Sequence, residues 1–364
     1  MRPTQERLVG VARRWVIALA VVAAASPASL GQTTLTPEAK EAVLGRVGAT
    51  LASRAFVTGV DFSRWGEWRE EGAGAIERAE TPAAFARAVN GVLRRFGVSH
   101  LRLIAPTAAA RPAGGGAPGH EREGGSGRSS WVFGSTEVGG VEGVGVEGET
   151  LEWLDEGCVV LRVPTFDAES YSRENVERLM SEAGRAGYLI LDLRNNGGGE
   201  VRSMNHLLGM FLRSGTAIGA YVGRRQVEAF ERETGEREAD AVRVAGWMRR
   251  PYTVLRNPGP VYGGKVAVLI NRGSASASEI VAAALRDHAG AALVGSRSAG
   301  QVLLSNQFPL AEGFRLQVPL SDYVTRRGVR LEGSPLVPHV VVEGPAGDRL
   351  RAVRAAAELL RSGL

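Results

Sequence analysis

Three serines, Ser274, Ser276 and Ser278, alternate with alanines in one short turn of this chain. The strand-like run 266–270 ends just before the turn, and a strong helical pattern over 279–286 begins just after it. A hydroxyl placed there lies at a helix N-terminus, where free backbone N–H groups and the helix dipole stabilise a developing negative charge. The pattern therefore fits the nucleophile of a hydrolase, although a serine that only caps the helix would give the same pattern.

A glycine-rich turn lies upstream. The run 188–193 predicts a buried strand, and Gly197, Gly198 and Gly199 follow it before another helical pattern near 201–212. Glycines can adopt positive φ angles and leave backbone N–H groups uncovered by side chains. Such a turn suits a phosphate cradle or an oxyanion hole, or it binds nothing. A P-loop is excluded because no Gly-Lys-Ser/Thr ending follows, and the dinucleotide fingerprint is absent too.

Together these two segments resemble the carboxyl-terminal processing protease family, also called tail-specific proteases. The resemblance rests on residues 189–199 and 268–280, with further matches at 293–295 and 330–338. It extends over residues 150–345. The resemblance implies a crotonase/ClpP-like α/β core with a mainly parallel sheet, and an enzyme that cleaves polypeptide substrates.

The resemblance also assigns roles to single residues. The family's nucleophile falls on Ser276, and its oxyanion donors fall on the backbone N–H groups of Gly198 and Ala277. Loss of one such donor typically lowers kcat by about 10²–10³.

The expected catalytic lysine is missing. The best-known branch of the family pairs its serine with a lysine base, but that position holds Gln301, whose amide cannot accept the serine proton. The two lysines of the sequence are Lys40, in the N-terminal helical pattern, and Lys265, at the far end of the strand that leads to Ser276. Either the protein is inactive or another residue is the base.

His100 is the best candidate for that base. The segment 98–103 resembles the serine–histidine motif of the tricorn-type and retinoid-binding-protein-like branches of the superfamily. By that resemblance His100 is the general base for Ser276, Glu332 orients the imidazole, and Ser99 is the second serine of the site. The remaining histidines fit the role less well because of their positions in the predicted elements: His120, His206, His288 and His339.

The predicted elements divide the chain into a leader, a helical subdomain, a loop and a core. Residues 32–104 form a small helical N-terminal subdomain, and 105–130 form a flexible loop rich in Gly, Pro and Ala. Residues 131–364 form the peptidase core, in which strands alternate with helices and a polar, cap-like excursion is expected near 213–262. A complete PDZ domain does not fit between the subdomain and the core.

Residues 1–31 are typical of a signal peptide. Four arginines precede or border an apolar run that ends in small residues. We therefore expect an exported protein, periplasmic or extracellular, with retention through an uncleaved N-terminal anchor as the alternative. No later segment is apolar for long enough to cross a bilayer.

Composition excludes several other functions. The leader contributes +3 of the formal net charge of +5, and basic residues are interspersed with acidic ones, so nucleic-acid binding is not expected. The single cysteine, Cys158, allows no internal disulfide, and the scattered histidines predict neither a metal site nor a cofactor. The sequence therefore predicts an exported serine endopeptidase acting on polypeptides. The alternative is a catalytically inactive binding or scaffold protein on the same fold.

Overall fold

The computed structural model describes residues 34–106, 148–237, 240–255, 258–342 and 349–363. The predicted signal peptide, nearly all of the predicted flexible loop with His120, and residues 131–147 of the predicted core lie outside the described residues. The strands are β1 Arg102–Ile104, β2 Thr150–Asp155, β3 Cys158–Arg162, β4 Tyr188–Asp192, β5 Ala217–Gly223, β6 Tyr252–Thr253, β7 Lys265–Ile270, β8 Ala292–Gly295, β9 Leu303–Pro309, β10 Arg315–Thr325 and β11 Val340–Val341.

The helices cluster before β1 and between the strands of the core. They are α1 Pro37–Arg54, α2 Trp65–Glu71, α3 Ala73–Glu77, α4 Pro82–Leu93, α5 Arg173–Ala183, α6 Val201–Leu208, α7 Arg224–Thr234, α8 Ala241–Trp247, α9 Ala277–Ala289 and α10 Arg349–Ser362. Among these described elements no helix is both long and apolar enough to cross a membrane.

The first four helices form the predicted N-terminal subdomain. Thr36 and Thr81 start α1 and α4 as N-caps, because each hydroxyl accepts a backbone N–H and a proline occupies the next position. The buried faces of these helices pack on one another and on β1, β9 and β10, so the subdomain shares a hydrophobic core with an antiparallel sheet. That shared core fixes the position of the loop between α4 and β1.

A six-stranded sheet forms the centre of the second half of the chain, in the order β11-β8-β7-β4-β3-β2. All its pairs are parallel except β2 with β3. One face packs on α5, α6 and α9, and the other packs on α10. Helices on both faces explain why these strands are near-continuous apolar runs. The predicted mainly parallel α/β core is confirmed.

The second sheet was not expected from the sequence. The long strand β10 pairs antiparallel with β1, β5 and β9, and β6 extends this sheet beyond β5. Residues 213–262, predicted as a cap-like excursion, therefore supply two strands of a sheet, with α7 and α8 packed around Phe230 and Val222. The sequence does not predict β5 because this strand contains Gly219 and Gly223, and glycine is unfavourable in strands. Here Gly219 is needed because a Cβ would lie 2.6 Å from the Tyr323 hydroxyl oxygen.

Candidate active site

Ser276 occupies a sharp turn between the end of β7 and the start of α9. Its backbone has φ 61° and ψ −118°, a conformation that costs a non-glycine residue about 1–3 kcal/mol and is found mostly at functional sites. The residue is fully buried. The Glu279 side chain accepts the Ser276 N–H at 3.1 Å, as in a capping box, so this residue also begins the helix.

The two neighbouring serines hold the turn in place. The Ser274 hydroxyl donates to the carbonyl oxygen of Leu193 at 2.8 Å, and the Ser278 hydroxyl donates to that of Asn196 at 2.8 Å. The Ala275 N–H also donates to the Asn196 carbonyl, at 3.0 Å. The nucleophile turn and the glycine turn are thus tied together, and the middle serine is the one whose hydroxyl reaches a histidine.

That histidine is His100, in the loop between α4 and β1. Its Nε2 lies 3.2 Å from the Ser276 Oγ, across 176 residues of sequence. The ring is buried, and the backbone has a positive φ of 58°, so the loop is strained at this residue. A buried, hydrogen-bonded imidazole next to a serine hydroxyl can accept its proton.

Ser99 and Glu332 complete a chain of hydrogen bonds behind the imidazole. The Ser99 Oγ lies 2.6 Å from His100 Nδ1 and donates to Glu332 Oε2 at 2.8 Å. A hydroxyl has one proton, so if Ser99 donates to the carboxylate it accepts from Nδ1–H. In this tautomer Nε2 carries no proton and can accept the proton of Ser276.

Backbone groups fix Glu332 in this position. Its carboxylate accepts from the N–H of Ser99 and from the N–H of Val302, both at 2.8 Å. Arg330 anchors the same loop, since its Nε donates to Asp322 Oδ1 at 2.6 Å. Burial raises the pKa of Glu332, and the hydrogen bonds from Ser99 and Val302 oppose that rise.

The two predicted oxyanion donors lie beside Ser276 but differ in whether their N–H groups already have an acceptor. The N–H of Ala277 has no acceptor among the described residues. The N–H of Gly198 donates to Asn196 Oδ1 at 2.9 Å. An incoming carbonyl oxygen can therefore accept from Ala277 directly, whereas it must compete with Asn196 for Gly198.

The sequence model of the family described as peptidase family S41 matches residues 157–342, which is half of the chain. It spans the nucleophile turn, the glycine turn and Glu332. The chain belongs to peptidase family S41.

Individual relatives agree with this membership. A carboxy-terminal-processing protease of Bartonella bacilliformis is 33% identical over 167 residues, which cover 45% of this chain and 33% of that protein. A carboxyl-terminal-processing protease of Synechocystis sp. is 31% identical over 186 residues, 51% of this chain and 38% of the relative. The matched part of the chain thus spans only about a third of the length of these curated relatives.

A solved structure extends the likeness to the whole fold. The photosystem II D1 C-terminal processing protease superposes with a TM-score of 0.50 at 19% identity, over 87% of this chain and 97% of the other. At this identity the likeness concerns the fold, including the helical region before the core.

Gln301 occupies the position at which the lysine base is expected. The backbone N–H of Gln301 donates to Glu279 Oε2 at 3.0 Å. Lys40 donates to the Glu77 carbonyl oxygen in the N-terminal subdomain, and Lys265 begins β7 at the end opposite Ser276. Neither lysine is a partner of the serine. Within the described ranges, no three His, Cys, Asp or Glu side chains come together as metal ligands would.

The other described histidines have structural partners or positions. His206 contacts Tyr171 and Glu177, and His339 Nδ1 accepts the N–H of Leu293 at 2.8 Å. His288 is exposed near the end of α9.

Glu279 has a larger structural role in this site than its sequence position predicts. A glutamate in the first turn of a helix suggests only a favourable interaction with the helix dipole. In the structure Glu279 is fully buried and accepts four hydrogen bonds, from the N–H groups of Ser276, Gly300 and Gln301 and from the Ser298 hydroxyl, at 2.5–3.1 Å. Burial raises its pKa and these donors oppose the rise. It joins the nucleophile's own backbone to the 298–301 loop.

We expect Gly198→Ala to reduce peptide hydrolysis at least about 100-fold. An added Cβ would lie 2.7 Å from the Ser276 Cβ and 3.1 Å from the Ala277 nitrogen, which is the open oxyanion donor. Gly198 also has a φ of 99°, which disfavours any L side chain. Gly215→Ala is the matched control, because Gly215 has a φ of 84° with open space around its Cβ position. Steady-state kinetics measure the rate of peptide hydrolysis. An equal loss of rate in both variants would contradict the argument that the added Cβ obstructs the Ala277 N–H.

The raised pKa of Glu332 predicts the pH dependence of stability. An unfolded glutamate has a pKa near 4.3. A carboxyl whose pKa is higher in the folded state binds its proton more tightly there, so protonation of Glu332 favours folding. This contribution to the free energy of unfolding is fully present below about pH 4.3 and is lost as the pH rises through the folded pKa. The free energy of unfolding of the wild type, relative to that of Glu332→Gln, should therefore decrease from about pH 4 to about pH 7. Urea denaturation at both pH values measures this difference, and an increase would contradict the direction.

Proposed function

We propose that the protein is a serine endopeptidase that hydrolyses peptide bonds through an acyl-enzyme on Ser276, with His100 as general base. The observation that carries this proposal is the 3.2 Å contact between His100 Nε2 and Ser276 Oγ. Membership of peptidase family S41 supports the reaction class.

In the first half of the reaction, His100 Nε2 takes the proton of Ser276 as the Oγ attacks the substrate carbonyl carbon. The carbonyl oxygen becomes an oxyanion beside the Ala277 N–H at the N-terminus of α9, which stabilises the charge. The imidazolium then gives its proton to the leaving amine, and the C–N bond breaks. Ser99 and Glu332 hold the ring in the required tautomer and stabilise its positive charge.

In the second half, water replaces the amine. His100 takes a proton from that water, the oxygen attacks the acyl carbon, and the ester bond to Ser276 breaks as the proton returns to its Oγ. The products are a carboxylic acid and the free enzyme.

The names of the relatives support a polypeptide substrate, since both are called carboxyl-terminal processing proteases. The leader-like residues 1–31 support export to the periplasm or beyond, either released or held by an uncleaved N-terminus. Gln301 at the position of the lysine base is the argument for an inactive binding protein. The contact of His100 with Ser276 supports the peptidase instead, because an imidazole there can be the base.

A fluorophosphonate probe tests the proposal directly. The wild-type protein should be labelled covalently, with mass spectrometry locating the adduct on Ser276, and Ser276→Ala should not be labelled. Ser53→Ala is the control, because that hydroxyl is exposed on α1 and donates to the Ala49 carbonyl, far from the nucleophile turn in sequence. Absence of labelling in the wild type would contradict the proposal and favour a binding protein on this fold.

A further inference from the structure

An ion pair lies directly behind Glu332, and the mechanism above gives it no role. Arg330 Nε donates to Asp322 Oδ1 at 2.6 Å, and Arg330 Nη1 donates to the carbonyl oxygen of Glu332 at 3.3 Å. The Asp322 side chain is fully buried, whereas 31% of the Arg330 side chain is exposed. Arg330 thus joins a buried carboxylate on β10 to the backbone of the residue that ends the hydrogen-bond chain.

The buried carboxylate is fixed in turn by the helical subdomain. Asp322 Oδ2 accepts the N–H of Thr58, in the loop between α1 and α2, at 2.9 Å. A buried carboxylate without partners would be costly, and here Arg330 and Thr58 each donate to one of its oxygens. The position of Glu332 therefore depends on how the loop after α1 packs on β10.

The charge on Glu332 decides which nitrogen of His100 carries the proton. An ionised Glu332 accepts from Ser99, so the Ser99 hydroxyl must accept from Nδ1–H of the imidazole. A protonated Glu332 can instead donate to Ser99, which then donates to Nδ1 and leaves the ring proton on Nε2. In that tautomer Nε2 cannot accept the proton of Ser276. The proposed mechanism therefore requires an ionised Glu332.

Arg330 is the cation that favours this ionised form. The groups that face the carboxylate are the N–H and hydroxyl of Ser99 with His100 behind it, the N–H of Val302, and Arg330. Burial raises the pKa of Glu332, and the hydrogen bonds from Ser99 and Val302 lower it. The positive charge of Arg330 lowers the pKa of Glu332 as well. Loss of that charge would shift the carboxyl toward its protonated form.

We propose that Arg330 is a positioning residue for the peptidase site: held by Asp322, it fixes the backbone of Glu332, keeps its carboxylate ionised and so sets the lowest pH at which the site is active. Stability alone does not account for the pair, because the desolvation of a buried ion pair offsets most of its attraction. The inference deepens the proposed function and rests on it for the link to hydrolysis. The effect of Arg330 on Glu332 can be measured without any hydrolysis.

Carbon-13 NMR of protein labelled at the glutamate carboxyl carbons makes that measurement. The Glu332 resonance is the one missing from Glu332→Gln. Its titration midpoint should rise by about one pH unit in Arg330→Gln, at the lower end of the usual effect of a neighbouring arginine because Arg330 is partly exposed. Arg330→Lys keeps the positive charge, so its midpoint should stay within about 0.3 pH unit of wild type.

Arg327→Gln is the matched control. Arg327 follows β10 in the same turn as Arg330, and its Nε also pairs with a buried aspartate, Asp287 of α9, at 3.1 Å. Arg327 is not among the groups that face Glu332. Its loss should therefore leave the titration of Glu332 unchanged.

The pH dependence of peptide hydrolysis tests the consequence for the site. The acid limb of kcat/KM should move up by about one pH unit in Arg330→Gln, which makes this variant about tenfold slower on that limb. Most of the lost rate should return at alkaline pH, where Glu332 is ionised in both proteins. Asp322→Asn should also lower kcat/KM on the acid limb, and Arg330→Gln should add no further loss to it, because the two residues act as one unit.

Three results would overturn the proposal: an unchanged Glu332 titration in Arg330→Gln, an equal shift in Arg327→Gln, or a rate loss in Arg330→Gln that is the same at every pH. The last result would show a purely structural role. If the wild type hydrolysed no peptide while the shift in the Glu332 titration remained, only the peptidase function would be contradicted.

Discussion

Replacing His100 with alanine will lower kcat for peptide hydrolysis by roughly four to six orders of magnitude, about as much as Ser276→Ala. The reason is that the two side chains act as one unit, joined by a 3.2 Å contact, so a serine without its base retains only the help of the oxyanion donors. The double variant should therefore be no slower than either single variant. Single-turnover hydrolysis of a fluorogenic peptide measures all three.

His288→Ala is the control for this prediction. His288 is exposed near the end of α9, and its removal should leave kcat within about twofold of wild type. If His100→Ala lost less than about tenfold, or if the losses of the two single variants multiplied in the double variant, His100 would not be the base.

Glu279→Ala will lower the free energy of unfolding by about 3–5 kcal/mol, because it leaves three backbone N–H groups and one hydroxyl buried without an acceptor. The same change releases the N–H of Ser276, so activity should fall even where the protein remains folded. Urea denaturation followed by circular dichroism gives the stability, and labelling by the fluorophosphonate probe gives the state of the nucleophile.

Glu174→Ala separates this role from an interaction with the helix dipole. Glu174 lies in the first turn of α5 and is exposed, so its loss should cost less than about 1 kcal/mol. If Glu279→Ala lowered the free energy of unfolding as little as Glu174→Ala does, Glu279 would stabilise the protein only through the helix dipole.

Much of the parallel core could be predicted because the sequence patterns that specify its strands and turns are local. The apolar runs at 188–193 and 266–270 predict buried strands, and the structure places them side by side as β4 and β7. The turns that follow them, with Gly198 and Ser276, then meet at the same edge of the sheet. Parallel strands that each lead into a turn and a helix always bring those turns together.

What the sequence did not predict depends on partners far away in the chain. The antiparallel sheet is held by β10, which pairs with β1 from before the parallel core and with β5 and β9, which lie between strands of that core in the sequence. The importance of Glu279 depends on the path of the 298–301 loop, which no helical pattern specifies. Similarly, the bond from Gly198 to the Asn196 side chain depends on a rotamer. Local patterns carry no information on any of these.

The hydrogen-bond chain from Ser276 to Glu332 uses side chains from positions 99, 100, 276 and 332, and this has a consequence for when activity arises. Synthesis runs from the N-terminus, so the nascent chain holds the imidazole long before it holds the serine, and it acquires the carboxylate last. Such distant contacts form late in folding, since the intervening chain must first be closed into loops. In the mechanism proposed above, the chain therefore hydrolyses nothing during its own synthesis, and a proteolytic fragment that lacks either end of the site is inactive too.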